Sequence, residues 1–426
     1  MTSTAPAQST LAATATLDGT RSLARNAGAL FAGQLVALVV PLLTVPYLAR
    51  VLGPSGWGPV LAAQALGNWL VLVLEFGFDL SGTRAVARAR TMPHTMSDVV
   101  HGTQSAKTLL APAAVLAGLI AFVAIPTLRN DPLLVWCTVA FAVVRGFSPL
   151  WFFQGIERVQ GAVAVDAAAR AAAALAVFVF VRTSGDGWRV LALQAVFSTV
   201  SLVVLTMWLS RHVPLRAPRI DAAVRTLREA SSIFACRASS GLYIQANALI
   251  LSMFASAATV AFFGGAERII RAAINLLQPL TQAFLPRLSY LQASDPAAAR
   301  RTIRHALVGL GLLGGAMGLV AFVGAPLLVH VLLGPEYASA ASVLRMLGLL
   351  PPLVAVNTVL GVYWALPFGH DRAFLVAIVS AGITNVALAI TLVPVWGATG
   401  MATAAIAAEV VVLGVLATRY LRHDAR

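Results

Sequence analysis

The stretch Phe262–Leu291, FFGGAERIIRAAINLLQPLTQAFLPRLSYL, has the length of a membrane span, since about 20 helical residues cross the hydrocarbon core. It nevertheless carries Glu267, Arg268 and Arg271 well inside, followed by Asn275, Gln278 and Gln282. A charge at mid-bilayer costs about 2.5–3.5 kcal/mol on insertion scales. These side chains therefore cannot face lipid. A helix of this kind must turn them towards a hydrated interior built with other helices.

Composition agrees. The chain has 426 residues, 59% hydrophobic and 11% charged, with a mean hydropathy of +0.84. Soluble domains carry about 25% charged residues. The chain is thus an all-α polytopic membrane protein. Apolar runs separated by Gly, Pro and charge predict twelve transmembrane helices, at 28–50, 57–80, 106–127, 133–153, 162–182, 188–210, 230–253, 258–282, 306–333, 341–366, 373–393 and 398–420. The connections are too short for a soluble catalytic domain.

The net charge of +14 suggests nucleic acid at first sight. The arginines, however, are scattered in small groups between apolar runs, which is the pattern of loop charge that sets topology. Twenty of the thirty basic residues fall at the termini and on one set of connections, four on the opposite set, and six within spans. Both termini are therefore expected in the cytoplasm. The most basic connection divides the chain into a six-helix half at 21–210, a linker at 211–229 and a second half at 230–426. Residues 1–20, rich in Thr, Ala and Ser, lack the basic start and apolar core of a signal peptide and read as an unstructured cytoplasmic tail. Cys137 and Cys236 lie far apart inside apolar runs and read as small buried hydrophobes.

Two halves that start on the same side predict a parallel repeat. The polar positions carry it. Gln64, Asn68, Glu75 and Asp79 of the second segment map onto Glu267, Arg271, Gln278 and Gln282 of the eighth with a constant offset of 203, and Arg84 maps onto Arg287. At 100° per residue each set falls within about 60°, a stripe roughly 22 Å long. Two such ridges are expected to line one central cavity. Gluing of helices by hydrogen bonds is the competing reading, but three charges on one helix exceed what packing needs. Further intramembrane charge comes from Arg145, Arg170 and Arg237, set against Asp166, which lies four residues from Arg170. The cavity leans cationic. Arginine presents a planar fork that bonds oxyanions bidentately, so an anionic, phosphorylated, hydrophilic cargo is expected.

Several segments, in order, resemble a known family: NAGALFAGQLVALVVPLLTVPYLARVLGPSGWGPV, EFGFDLSGTRAVARAR, FFQGIERVQ, NALILSMFASAATVAFFGGAERIIRA, PLTQAFLPRLSYL and LLGPEYASAASVLRMLG. They are similar to the polysaccharide transporter flippases of the superfamily that also holds the multidrug and toxin extruders. Trp57 stands where that family commonly has Tyr. The resemblance implies two pseudo-symmetric six-helix lobes around the cavity. It also implies translocation of undecaprenyl-diphosphate-linked oligosaccharide repeat units across the bacterial inner membrane, for O-antigen, capsule or exopolysaccharide assembly. Polymerase and chain-length proteins of the same pathway would be partners. The family tends to be polar at Asn247 and to share Glu267, Arg268 and Arg271.

The expected cargo-binding set is Arg145, Arg170, Arg237, Arg268, Arg271, Gln64, Asn68, Asn247, Asn275 and Gln278. No cofactor is expected, although a proton or sodium ion could drive the carrier through Glu267, Glu75, Asp79 or Asp166. A drug or cation exporter of the same superfamily would want a more acidic cavity. A polytopic polymerase, ligase or acyltransferase would need an extracytoplasmic loop or a His/acid dyad, and none is visible; no metal-ligand cluster is visible either.

Overall fold

The computed structural model describes residues 5–214, 216–245 and 247–424; within these, the side chains of residues 5–27, 29–38, 236, 239, 240, 242–245, 279, 280, 282, 283, 285, 286, 289, 293, 296, 423 and 424 lie outside the described set. Every regular element among the described residues is helical. The first half comprises α1 (Ala5–Glu75), α2 (Phe78–Arg88), α3 (Pro93–Ala124), the single turn α4 (Pro126–Arg129), α5 (Pro132–Gly146), α6 (Leu150–Gly155), α7 (Val159–Phe180) and α8 (Gly187–Ser210). The second comprises α9 (Ile220–Gln245), α10 (Asn247–Phe254), α11 (Ala257–Asn275), α12 (Gln278–Ser294), α13 (Pro296–Val323), α14 (Ala325–Leu332), α15 (Ala340–Leu347), α16 (Leu350–Thr358), a π-helical turn (Val359–Ala365) and α17 (Asp371–Asp424). The backbone is already helical at Ala5, through most of the stretch read as an unstructured tail. The Ala-rich run with no Gly or Pro between positions 7 and 18 supports that helix.

Two helices are too long for one crossing. α1 breaks at Gly53 (φ 63, ψ 175) and α17 at Gly397 (φ 55, ψ −125). Both are dihedrals that side-chain-bearing residues rarely adopt. Eight stretches among the described residues are long and apolar enough to span, and two of these, at 50 and 52 residues, contain the Gly53 and Gly397 breaks. Each of these two has room for two crossings at about 20 residues apiece. The pairs α9–α10 and α11–α12 are not among these eight stretches, and α11 carries Glu267, Arg268 and Arg271. All twelve expected segments are largely helical among the described residues.

Large apolar side chains such as Leu43, Leu116, Leu312 and Val323 lie exposed on the outer surface, as lipid solvent allows. The main buried cluster joins the two halves: Trp57, Leu61 and Leu66 of α1 pack with Phe263 and Ile270 of α11 and with Leu333 and Tyr337. This junction lies towards the end that bears Gly53. There α1 meets α11 so closely that a Cβ on Gly58 would sit 1.9 Å from the Ala257 carbonyl oxygen. Tyr337 donates its hydroxyl to the Ala49 carbonyl at 3.1 Å, and Arg50 donates to the Val331 carbonyl. That end is shut by backbone-to-backbone packing.

Gly58→Ala is therefore expected to destabilise the purified protein by about 1–3 kcal/mol, the usual cost of overpacking. Gly309→Ala, where a Cβ meets nothing within 4 Å, should leave stability unchanged or raised. Thermal unfolding in detergent distinguishes the two; equal effects would contradict the close approach.

Candidate functional site

A cavity of about 620 Å³ lies in the interior, within the range of sites that enclose a ligand. It is bounded by α1, α5, α7, α8 and α11. The polar lining comprises Gln64 and Asn68 from α1, Arg145 from α5, Arg170 from α7, and Arg268, Arg271 and Asn275 from α11, with Gln194 and Ser198 from α8. Aliphatic side chains of residues 40–48 form the opposing wall. Four arginines thus face one space, and among the described residues no carboxylate lines it.

The carboxylates stand behind the arginines. Asp166 is buried on α7 and pairs with both Arg145 and Arg170, the latter at 2.6 Å. The two partners lie 21 and 4 residues away, so α5 and α7 together make one arginine–aspartate–arginine unit. On α11, Glu267 accepts from Arg271 through Nη2 at 2.7 Å and Nε at 3.2 Å. It also accepts from Asn247 Nδ2 at 3.0 Å. Asn247 is itself buried. Arg268 donates to Gln64 Oε1 of the other half and lies over the Trp57 ring at 5.5 Å. A guanidinium held from behind keeps its remaining donors pointing into the cavity. Arg170 and Arg271 each retain 40% side-chain exposure, against 8% for Asp166 and 14% for Glu267.

Of the expected binding residues, Gln64, Asn68, Arg145, Arg170, Arg268, Arg271 and Asn275 come together here. Asn247 does not line the cavity but positions Glu267. Gln278, exposed at the start of α12, and Arg237 lie outside it, as do Glu75 and Asp79. The reason is local. Helical phase is lost between Glu75 and Phe78 and again between Asn275 and Gln278, so a stripe drawn for straight helices leaves the cavity wall at those points. Arg237 pairs instead with Asp79 at 2.6 Å. Two residues of the cavity wall, and one behind it, escaped the sequence reading. Gln194 and Ser198 are polar residues four apart on α8, a spacing of the kind that marked α11. Trp57 acts through its ring, which spacing does not reveal. Among the described residues no cluster of His, Cys, Asp and Glu could hold a metal ion.

A model of the family described as "Polysaccharide biosynthesis protein" matches residues 23–292. The chain is 27% identical over 401 residues to the "Putative O-antigen transporter" of Escherichia coli (strain K12), covering 93% of this chain and 96% of the relative. It is 26% identical over 381 residues to the protein of the same name from Shigella dysenteriae, covering 88% and 93%. Among solved structures it is similar to "Lipid II flippase MurJ, inward closed conformation", with a TM-score of 0.69 at 12% identity over 93% of this chain and 87% of that one. An outward-facing multidrug resistance MATE family transporter gives a TM-score of 0.57 at 14% identity over 95% and 96%. These structural likenesses support the fold: an all-α, MATE-like polytopic membrane protein.

Asp166 is the shared anion of two cavity-lining cations. Asp166→Asn should cost about 1–3 kcal/mol, the penalty for removing one partner of a hydrogen-bonded group, because the arginines left behind are partly exposed to the cavity. Asp166→Asn combined with Arg145→Gln should recover part of that loss, since one cation no longer lacks its anion. Unfolding midpoints in detergent check both. A harmless Asp166→Asn would mean that water already supports the arginines.

Proposed function

Because the chain belongs to the polysaccharide biosynthesis protein family, we infer that it is a flippase for lipid-linked oligosaccharides, a transporter and not an enzyme. The observation that carries this is the cavity wall: four guanidinium groups turned inward with every nearby carboxylate behind them. A sugar head group and its phosphates cannot cross hydrocarbon unassisted, because polar and charged groups lose their hydration there. Arginine replaces that hydration with bidentate bonds to phosphate oxygens.

The cargo we assign is an undecaprenyl-diphosphate-linked repeat unit of O-antigen, capsule or exopolysaccharide. Arg145, Arg170, Arg268 and Arg271 hold its diphosphate, and Gln64, Asn68 and Asn275 meet its sugars. The polyprenyl tail stays in lipid. The multi-pass chain would lie in the bacterial inner membrane with both termini and the 211–229 linker in the cytoplasm, which puts the Gly53 end outside. Polymerase and chain-length proteins would then receive the cargo. A drug or cation exporter fits less well, because among the described residues no acid lines the cavity.

Outward movement of an anion is favoured by an inside-negative potential, by about 2.3 kcal/mol per charge per 100 mV. Return of the empty carrier is assigned to an inward proton or sodium ion at Glu267. An arriving diphosphate competes for Arg271 and frees the carboxylate to take a cation.

Arg271→Ala is expected to abolish polymer export in cells lacking their own flippase, at normal membrane levels of the protein. Arg271→Lys should restore only part of it, since an ammonium cannot fork. Wild-type export by the alanine variant would remove Arg271 from the cargo site. In proteoliposomes, an imposed proton or sodium gradient should accelerate wild-type flux and leave Glu267→Gln unaffected. Flux that ignores both gradients in the wild type would mean a facilitator driven by the potential alone.

A further inference from the structure

Arg237, Asp79 and Glu75 sit between the cavity and the arginine-rich end of the bundle, and the backbone beside them is unusual. α1 stops at Glu75 and α2 starts at Phe78. Between them Phe76 has φ 45 and Gly77 φ 78. Left-handed backbone suits glycine, but a bulky Phe occupies it only when its surroundings enforce it. Here the enforcing surface is α9, from the other half. The Phe76 ring stacks on Phe234 with centroids 4.1 Å apart and planes 8° from parallel. A Cβ on Gly77 would meet Ile233 at 2.7 Å. One helical turn further, Asp79 Oδ2 pairs with Arg237 Nη2 at 2.6 Å. Asp79 Oδ1 is buried with no hydrogen-bond partner among the described residues.

We propose that Phe76, Asp79, Phe234 and Arg237 form a latch that closes the arginine-rich end of the cavity, and that the anionic head group of the cargo opens it by taking Arg237 from Asp79. The geometry of the latch stands independently of the cargo; the opening step rests on the transporter reading above.

Two features make this contact exchangeable where the Gly53 end is not. First, Arg237 holds one carboxylate oxygen, and both partners keep about a third of their side-chain surface exposed, 35% and 31%. A diphosphate offers several oxygens in the spacing that a guanidinium fork accepts, so it competes well for the same cation. The Gly53 end is held by buried aromatic packing and backbone contacts that no anion can displace. Second, the carboxylates are not stranded when Arg237 leaves. Lys107, the one lysine of the chain, is buried and lies within electrostatic reach of both Glu75 and Asp79. Its Nζ donates to the Ser148 carbonyl at 3.3 Å, which fixes the ammonium on the first half. Lys107 thus supplies a resident countercharge while Arg237 is engaged elsewhere. Separation of α2 from α9 also removes the surface that holds Phe76 in its left-handed conformation, so strain relief assists opening.

The test places a single reporter thiol in the cavity: Ser198→Cys in the full chain with Cys137→Ser and Cys236→Ser. A membrane-impermeant maleimide is applied from either side in vesicles of both orientations. With the latch closed, labelling from the arginine-rich side is slow. Asp79→Asn should raise that rate about fivefold, the upper end of what one half-exposed ion pair contributes, and leave labelling from the opposite side unchanged. The charge swap Asp79→Arg with Arg237→Asp should return it to the slow rate, which damage to folding would not do. Millimolar inorganic pyrophosphate should speed labelling of the reporter protein and have no effect in its Asp79→Asn form. An unchanged rate in Asp79→Asn, or a rise from both sides alike, overturns the latch. No response to pyrophosphate, or a slower rate, overturns opening by the anion. None of these readouts contains lipid-linked cargo. A labelling response without oligosaccharide flux would therefore sink the transport reading and leave the latch standing.

Discussion

A guanidinium inside hydrocarbon has to be held, and the way this chain holds its arginines organises the rest of the structure. Five arginines lie deep in membrane-length segments, and each has an acceptor: Asp166 for Arg145 and Arg170, Glu267 for Arg271, Asp79 for Arg237, and Gln64 for Arg268. Such pairs add little net stability, because desolvation cancels much of the attraction. Their arrangement is better explained by what it presents. Acids behind and cations in front make a wall that is positive towards the cavity and balanced towards the helices.

The pairs also divide along the pseudo-symmetry of the chain. Arg145, Asp166 and Arg170 belong wholly to the first half, and Asn247, Glu267 and Arg271 wholly to the second. Each half therefore carries its own ion-paired unit and can move as a body without breaking it. Among the described residues, two pairs of side chains bond each other across the halves: Arg268 with Gln64, near the Gly53 end, and Arg237 with Asp79, near the arginine-rich end. Alternating access of one lobe against the other needs this separation of strong contacts within halves from weaker ones between them.

Much of this was legible in the sequence. The constant offset of 203 and the 100° stripe located Gln64, Asn68, Arg271 and the turn around Glu267, because regular helix geometry holds from Pro54 to Glu75 and from Ala257 to Asn275. Beyond those points the phase fails. Phe76 and Gly77 rotate the chain out of register, and Asp79 leaves the cavity for α9. No local propensity announces a left-handed phenylalanine; it exists only because α9 presses on it. Partners far apart in sequence were likewise hidden. Spacing suggested Asp166 with Arg170, four residues away, and could not show that Arg145 shares the same carboxylate. Asn247 looked like a cargo contact, since polarity alone does not say whether a side chain meets the cavity or the carboxylate beside it.

The two crossing contacts differ in kind, and the difference bears on how such a carrier can move at all. Arg268 joins an amide and the face of Trp57, a fully buried ring of the main cluster, where a cation–π contact adds to the hydrogen bond. Arg237 and Asp79 are partly hydrated already. When they separate, each regains water as it loses its partner, so the free-energy change is small, on the order of 1 kcal/mol for a half-exposed pair. A bundle closed equally firmly at both ends would bind nothing. One closed weakly at both would let ions through. Firm closure at the Gly53 end with light closure at the other leaves a resting state that admits cargo from one side. Cargo bound as proposed would compete for the guanidinium that Gln64 and Trp57 hold, but the aromatic and backbone packing of the firmer end would stay in place.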